Sequence, residues 1–341
     1  MNNNNNSMNN NNVIVDLDLI EGEETKTRTK SQSQSHSYDV GEKITEVIST
    51  RYGVISCTYT KLRHEGQNKF KPLITYHDCF TNSRTCFSSF FRSAGSEAEI
   101  VKKFCVYEID CPGSQDGSVH GCPEEMYPMS LDKLAEQIED VVTYFGLQRR
   151  EVFALAVGSG ATVMSIYANR FASPICGMIL VSPMSRQASY LEWMFAKAFR
   201  LRCRGRKTVS DSQANHMMER LFSKASTDGF AGKFSSDLAL GHRNELQAMR
   251  LDALLAYYDA TVNRLDNKHI VSSLKCRTLI LAGSSSPWYN DSLHMNSVMD
   301  KTITSWVDME KIGAACTMEN PAALLSPIHL WIQRLKSEGY V

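Results

Sequence analysis

The 341-residue sequence predicts an α/β domain: a mostly parallel sheet of about eight strands, covered by helices and interrupted by a helical cap insertion at about residues 184–270. Three observations carry this. Short runs that are apolar without alternation, at Val152 to Ala156, Gly177 to Val181 and Cys276 to Ala282, read as strands buried on both faces, which belong to parallel sheets. Helical patterns at Ser130 to Phe145 and Ala161 to Phe171 separate such strands and set up a strand–helix rhythm. That rhythm stops after Ser182-Pro183, gives way to helical patterns alone, and resumes at Cys276.

The elements follow in order. Residues 1–38 form an Asn/Ser/Gln-rich tail, with homopolymeric Asn2 to Asn6 and Asn9 to Asn12, whose composition cannot offset the entropy of ordering and which is expected to be disordered. One apolar island, Val13 to Ile20, interrupts it. The domain then occupies residues 39–341. Ile44 to Ser49 and Val54 to Thr60, joined through Tyr52-Gly53, read as an opening hairpin. Pro72 to His77 is a third strand, Glu97 to Lys103 a helix, and Phe104 to Asp110 a fourth strand that stops at a Pro/Gly-containing loop. Ser130 suits the N-cap of the longest early helix, Gly146 its C-terminal stop, and Leu131, Leu134, Ile138, Val141, Val142 and Phe145 form its apolar stripe. Ile303 to Met309 reads as the last strand and Ala322 to Lys336 as the closing helix. A sheet interrupted by a helical insertion is the layout of an α/β hydrolase carrying a cap.

Composition narrows the function classes. Hydrophobic residues make up 43% and charged residues 22%, and 37 cationic residues balance 37 anionic ones. Nothing global favours nucleic acid, so electrostatic attraction has to come from local patches. The ten cysteines form no C-x-x-C pair and no zinc-spaced cluster with histidine. They read as packed, reduced thiols, and with no signal-peptide pattern and no apolar run of membrane-spanning length a cytoplasmic protein without metal or cofactor is expected.

Several stretches resemble the N-myc downstream-regulated (NDR) family. Tyr76-His77-Asp78 follows the third strand, with Asn82 and Cys86 beyond it, and Asp110-Cys111-Pro112-Gly113-Ser114-Gln115-Asp116-Gly117 follows the fourth. Met129 to Glu136 opens the long helix as in that family, and Leu274 to Ile280 with Leu293-His294-Met295 is similar to its plant NDR-like branch. The resemblance covers roughly residues 45–341. It implies an α/β-hydrolase fold without catalysis and roles in signalling, stress response or trafficking. For the plant branch it implies association with heterotrimeric G-protein βγ subunits.

An active hydrolase of this layout needs G-x-S-x-G at the turn between the fifth strand and its helix. The turn here is Ala156-Val157-Gly158-Ser159-Gly160, which places Gly158 at the nucleophile position and Ser159 one residue late. The acid position, after the strand ending at Ala282, reads Ser286, and the histidine position, in the loop before the closing helix, reads Ala314. All three catalytic positions therefore read as vacant, where loss of the serine or histidine alone costs a triad enzyme about 10⁶-fold in kcat. His77, Asp78, Gly158 and Ser159 are expected to line what is left of the pocket. His77-Asp78 stands where such enzymes often carry an oxyanion-hole loop, and the pair reads either as a polar pocket wall or as groups hydrogen-bonded to nearby backbone.

In the cap, Ser189 to Leu201 is rich in apolar residues, expected to pack the cap onto the core. Beside them Lys197, Arg200, Arg202, Arg204 and Arg206 form a basic cluster. It reads either as solvated cations or as a surface for an acidic protein or an anionic membrane. A second cap helix is expected at Ala248 to Ala260. The reading is a non-catalytic scaffold or adaptor with protein partners. The alternatives are a divergent serine hydrolase that uses Ser159 with His77 or His294 as base, and a small-ligand receptor with a retained pocket.

Overall fold

A computed structural model describes residues 42–61, 70–115, 121–171, 175–227 and 237–341. The tail, its island at Val13 to Ile20, and Asp116-Gly117 lie outside the described residues. The strands are β1 (Glu42–Thr50), β2 (Gly53–Lys61), β3 (Lys71–Tyr76), β4 (Phe104–Ile109), β5 (Val152–Val157), β6 (Ile175–Val181), β7 (Arg277–Gly283) and β8 (Thr304–Met309). They form one eight-stranded sheet in the order β1-β2-β4-β3-β5-β6-β7-β8. Only β2 runs against its neighbours; β3 to β8 are mutually parallel.

The central strands divide their side chains between two covered faces, as the unbroken apolar runs require. Along β5, Ala154 and Ala156 join one core cluster, while Phe153, Leu155 and Val157 join the other. Helices α1 (Ser83–Ala94), α2 (Glu99–Lys103), α3 (Leu131–Tyr144) and α4 (Ser159–Arg170) lie along the connections from β3 to β6. Beneath the sheet, Phe87 and Phe90 of α1 pack with residues of the closing helix, while α3 and α4 cover the opposite face. Ser130 caps α3 by accepting the Lys133 amide. Helix α1 is an element the sequence reading does not name; a capping box sets its start, with the Asn82 side chain accepting from the Thr85 amide and the Thr85 hydroxyl from the Asn82 amide.

Between β6 and β7 the chain runs through α5 (Tyr190–Cys203), α6 (Asp211–Leu221), α7 (Lys224–Thr227), α8 (Asp237–Ala248), α9 (Leu251–Val262) and α10 (Lys268–Ser273). After β7 come α11 (Tyr289–Val298), α12 (Cys316–Glu319) and the closing α13 (Pro321–Ser337). The middle helices form a layer above the carboxyl ends of the strands. From it, the Tyr257 hydroxyl donates to the His77 carbonyl at 3.0 Å and His242 Nε2 donates to the Phe80 carbonyl at 3.1 Å. The Tyr258 ring lies 4.8 Å from that of Phe80. Helix α9 buries Leu251, Leu254 and Tyr258 as the apolar pattern requires, and also Tyr257.

Helix α5 corrects one expectation. Of its 14 residues only Ala196, Phe199 and Cys203 are buried. Tyr190, Leu191, Trp193, Met194, Phe195 and Leu201 point outward. Of the large apolar residues on α5 only Phe199 packs into the core; the others do not cover it.

Candidate functional site: the filled elbow

The site is built where β5 ends. Val157 closes the strand, Gly158 turns the chain at φ 56° and ψ −121°, and α4 starts at once with Ser159. A positive φ of this kind is costly for any residue with a side chain and is the mark of a sharp strand–helix elbow. Gly160 is needed for a different reason: a Cβ there would meet the Tyr76 carbonyl oxygen at 2.6 Å, so the elbow can sit this close to the end of β3 only without one.

The side-chain position of residue 158 is already occupied. A Cβ built on Gly158 would fall inside the Asp78 carboxylate. Asp78 comes from the loop between β3 and α1 and is 2% exposed. Its Oδ1 accepts from the Ser159 amide at 2.8 Å, the Cys79 amide at 2.8 Å and the Ser159 hydroxyl at 2.6 Å. In hydrolases of this layout, the amide after the nucleophile and an amide from the β3–helix loop form the oxyanion hole. Ser159 and Cys79 supply amides from those two places, and the chain's own carboxylate holds both.

The remaining polar groups are equally committed. Ser159 is fully buried, and its oxygen also accepts from the Cys79 amide at 3.0 Å. His77 donates from Nδ1 to the Asp78 carbonyl at 2.8 Å and accepts at Nε2 from the Cys111 amide at 2.9 Å, which assigns its tautomer. Burial pushes the His77 imidazole down to about 4, so it stays neutral, and its lone pair faces a backbone donor, not Ser159. Burial pushes the Asp78 carboxyl up from its ordinary value, a shift the Ser159 hydroxyl and the surrounding amides oppose. Asp110 accepts the Ser83 amide at 2.8 Å, at the start of α1, and thereby orders the loop beside His77.

Of the sequence-predicted residues, His77, Asp78, Gly158 and Ser159 are brought together. Ser286 lies in the turn after β7, where its hydroxyl accepts from the Trp288 amide at 3.0 Å. Ala314, in the loop after β8, is buried against Met184 and Trp288. His294 bonds the Ser185 hydroxyl at 3.0 Å, away from the elbow. Sequence reasoning missed Tyr257 and His242, which seal the β3–α1 loop from above; polar rings inside otherwise apolar or mixed cap helices were the available signal. It also missed Arg220, which stacks on the rings of Tyr258 at 4.8 Å and Trp288 at 4.7 Å.

The basic cluster lies on the outside of the cap. Lys197, Arg200, Arg204 and Arg206 line an open groove of about 620 Å³ with Tyr127, Leu201 and Leu255, while Arg202 is exposed and does not line it. Arg200 is paired with Asp259. Among the described residues no three His, Cys, Asp or Glu side chains are placed to hold a metal ion, and no helix is long and apolar enough to cross a membrane.

Comparison with known proteins agrees with this architecture. The model of the Ndr family matches residues 45–340. Protein NDL1 of Arabidopsis thaliana is 31% identical over 287 residues, 84% of this chain and 80% of that protein. Protein NDRG2 of Xenopus laevis is 26% identical over 301 residues, 86% and 76% of the two chains. Among solved structures, a thermophilic esterase from Thermogutta terrifontis superposes with a TM-score of 0.67 at 16% identity, covering 86% of this chain and 99% of that one. A hydrolase from Pseudomonas aeruginosa gives 0.66 at 15% identity, covering 84% and 98%. At these identities the solved structures share the fold alone.

Proposed function

The chain belongs to the Ndr family, and from that premise we propose that it is a non-catalytic protein of α/β-hydrolase fold that acts as a signalling scaffold or adaptor. The observation that carries the reading is the Asp78 carboxylate at the elbow, held by the Ser159 and Cys79 amides. A hydrolase needs that volume for a nucleophile and those amides for the oxygen of a tetrahedral intermediate. With both taken by one buried side chain, neither an acyl-enzyme nor its oxyanion has a place. Gly158, Ser286 and Ala314 at the three triad positions offer no nucleophile, acid or base.

The divergent-hydrolase alternative required Ser159 with a histidine base. The Ser159 hydroxyl instead donates its hydrogen bond to Asp78, and His77 and His294 are bonded elsewhere. Partners of the G-protein βγ class, and a cytoplasmic setting, are what the family resemblance adds. The test is turnover of short-chain activated esters by the full chain. We expect hydrolysis at the buffer rate, unchanged by Ser159→Ala. Saturable turnover abolished by that substitution would overturn the non-catalytic reading.

A further inference from the structure

The outward face of α5 is chemically unlike the rest of the cap. Tyr190, Leu191, Phe195 and Leu201 are 74%, 59%, 59% and 69% exposed, so they form an outward apolar ridge on a helix that buries little of itself. The aromatic and aliphatic side chains crowd the first turns, and cations dominate the last turn and the loop beyond it. The one acid on α5, Glu192, points inward, with its Oε1 2.9 Å from Arg264. Arg200 is neutralised by Asp259, whereas Lys197, Arg204 and Arg206 are exposed in or beside the groove.

We propose that this ridge and the basic groove beside it are a docking surface for an anionic phospholipid membrane. Helix α5 would lie in the plane of the interface, its apolar residues at the headgroup–acyl boundary and its cations on the lipid phosphates. An interfacial helix needs an apolar face, cations beside it and few exposed acids; α5 has all three. Aromatic side chains suit that boundary. A 14-residue helix is about 21 Å long, too short for the roughly 30 Å hydrocarbon core, so it lies on the membrane and does not span it. Lys197 lies beside the ridge, its Nζ 5.4 Å from the centroid of the Trp193 ring and its side chain on the wall of the groove. A protein partner is the competing occupant, and the test below separates the two. The inference stands apart from the filled elbow, since no elbow residue takes part in it.

The test is flotation of the full chain with vesicles of phosphatidylcholine alone and of phosphatidylcholine with phosphatidylserine, at low and high salt. We expect binding to the anionic vesicles only, weakened by salt. Leu191→Ser with Phe195→Ser, and separately Lys197→Gln with Arg204→Gln and Arg206→Gln, should each weaken it by at least about tenfold. All these side chains are exposed, so the variants should keep the parent's melting temperature, which is measured in parallel. Equal binding to both vesicles, binding untouched by either variant, or no binding by a folded chain would overturn the proposal. So would a chain that ignores vesicles and is retained by an immobilised acidic polypeptide through the same residues.

Discussion

The elbow and the outer face of α5 are opposites within one molecule. At the elbow every polar group of His77, Asp78 and Ser159 described above has a partner, and a missing side chain at Gly158 is replaced by a carboxylate from another loop. On α5, large apolar side chains stand in solvent, and only Ala196, Phe199 and Cys203 are buried. A hydrolase fold normally keeps its polar vacancy at the elbow and satisfies its surface. Here His77, Asp78 and Ser159 are satisfied and the large apolar side chains left without a contact are outside, the distribution the proposed adaptor role expects.

The contrast can be broken most severely from within. Gly158→Ser restores the nucleophile's side chain but drives it into Asp78 at a positive φ, and we expect a loss of about 4 kcal/mol in chemical denaturation. Pairing it with Asp78→Gly should recover at least about 2 kcal/mol of that loss, because the two residues compete for one volume. Equal costs for the single and double variants would mean that the carboxylate does not fill the site.

Acid should come next in size. The His77 pKa is depressed to about 4 in the folded chain, below the ordinary 6.5 of the unfolded one. Its contribution is fully present above pH 6.5 and is lost as pH falls toward about 4, because only the unfolded chain then takes up the proton. One such histidine is worth about 3 kcal/mol across that window. The raised carboxyl of Asp78 acts in the opposite sense and blunts the acid end. Urea titrations at several pH values should show this slope in the parent and a shallower one in His77→Gln.

The smallest effect sharpens the other side of the comparison. On α5, Phe199→Ala should cost about 3 kcal/mol, since that ring is buried. Phe195→Ala, one turn away and 59% exposed, should change stability by no more than about 0.5 kcal/mol. Melting curves of the pair decide whether the ridge is surplus to the fold.

The sheet was legible in the sequence because strands buried on both faces leave unbroken apolar runs, as β5, β6 and β7 do. Helix α3 was legible from its cap and its stripe. Helix α5 was misread because apolar residues occur on most of its circumference, and only packing decides which of them turn inward. The elbow's frame could be read from Ala156, Gly158 and Gly160, but not its occupant. Asp78 and Ser159 are 81 residues apart, and no local pattern announces that one carboxylate reaches the other's amide.

The most direct measurement is intact-mass analysis of the full chain after exposure to a fluorophosphonate, with Ser159→Ala alongside. We expect no adduct on either protein, because no activated hydroxyl stands at the elbow. A stoichiometric adduct on the parent that disappears in Ser159→Ala would contradict the filled elbow.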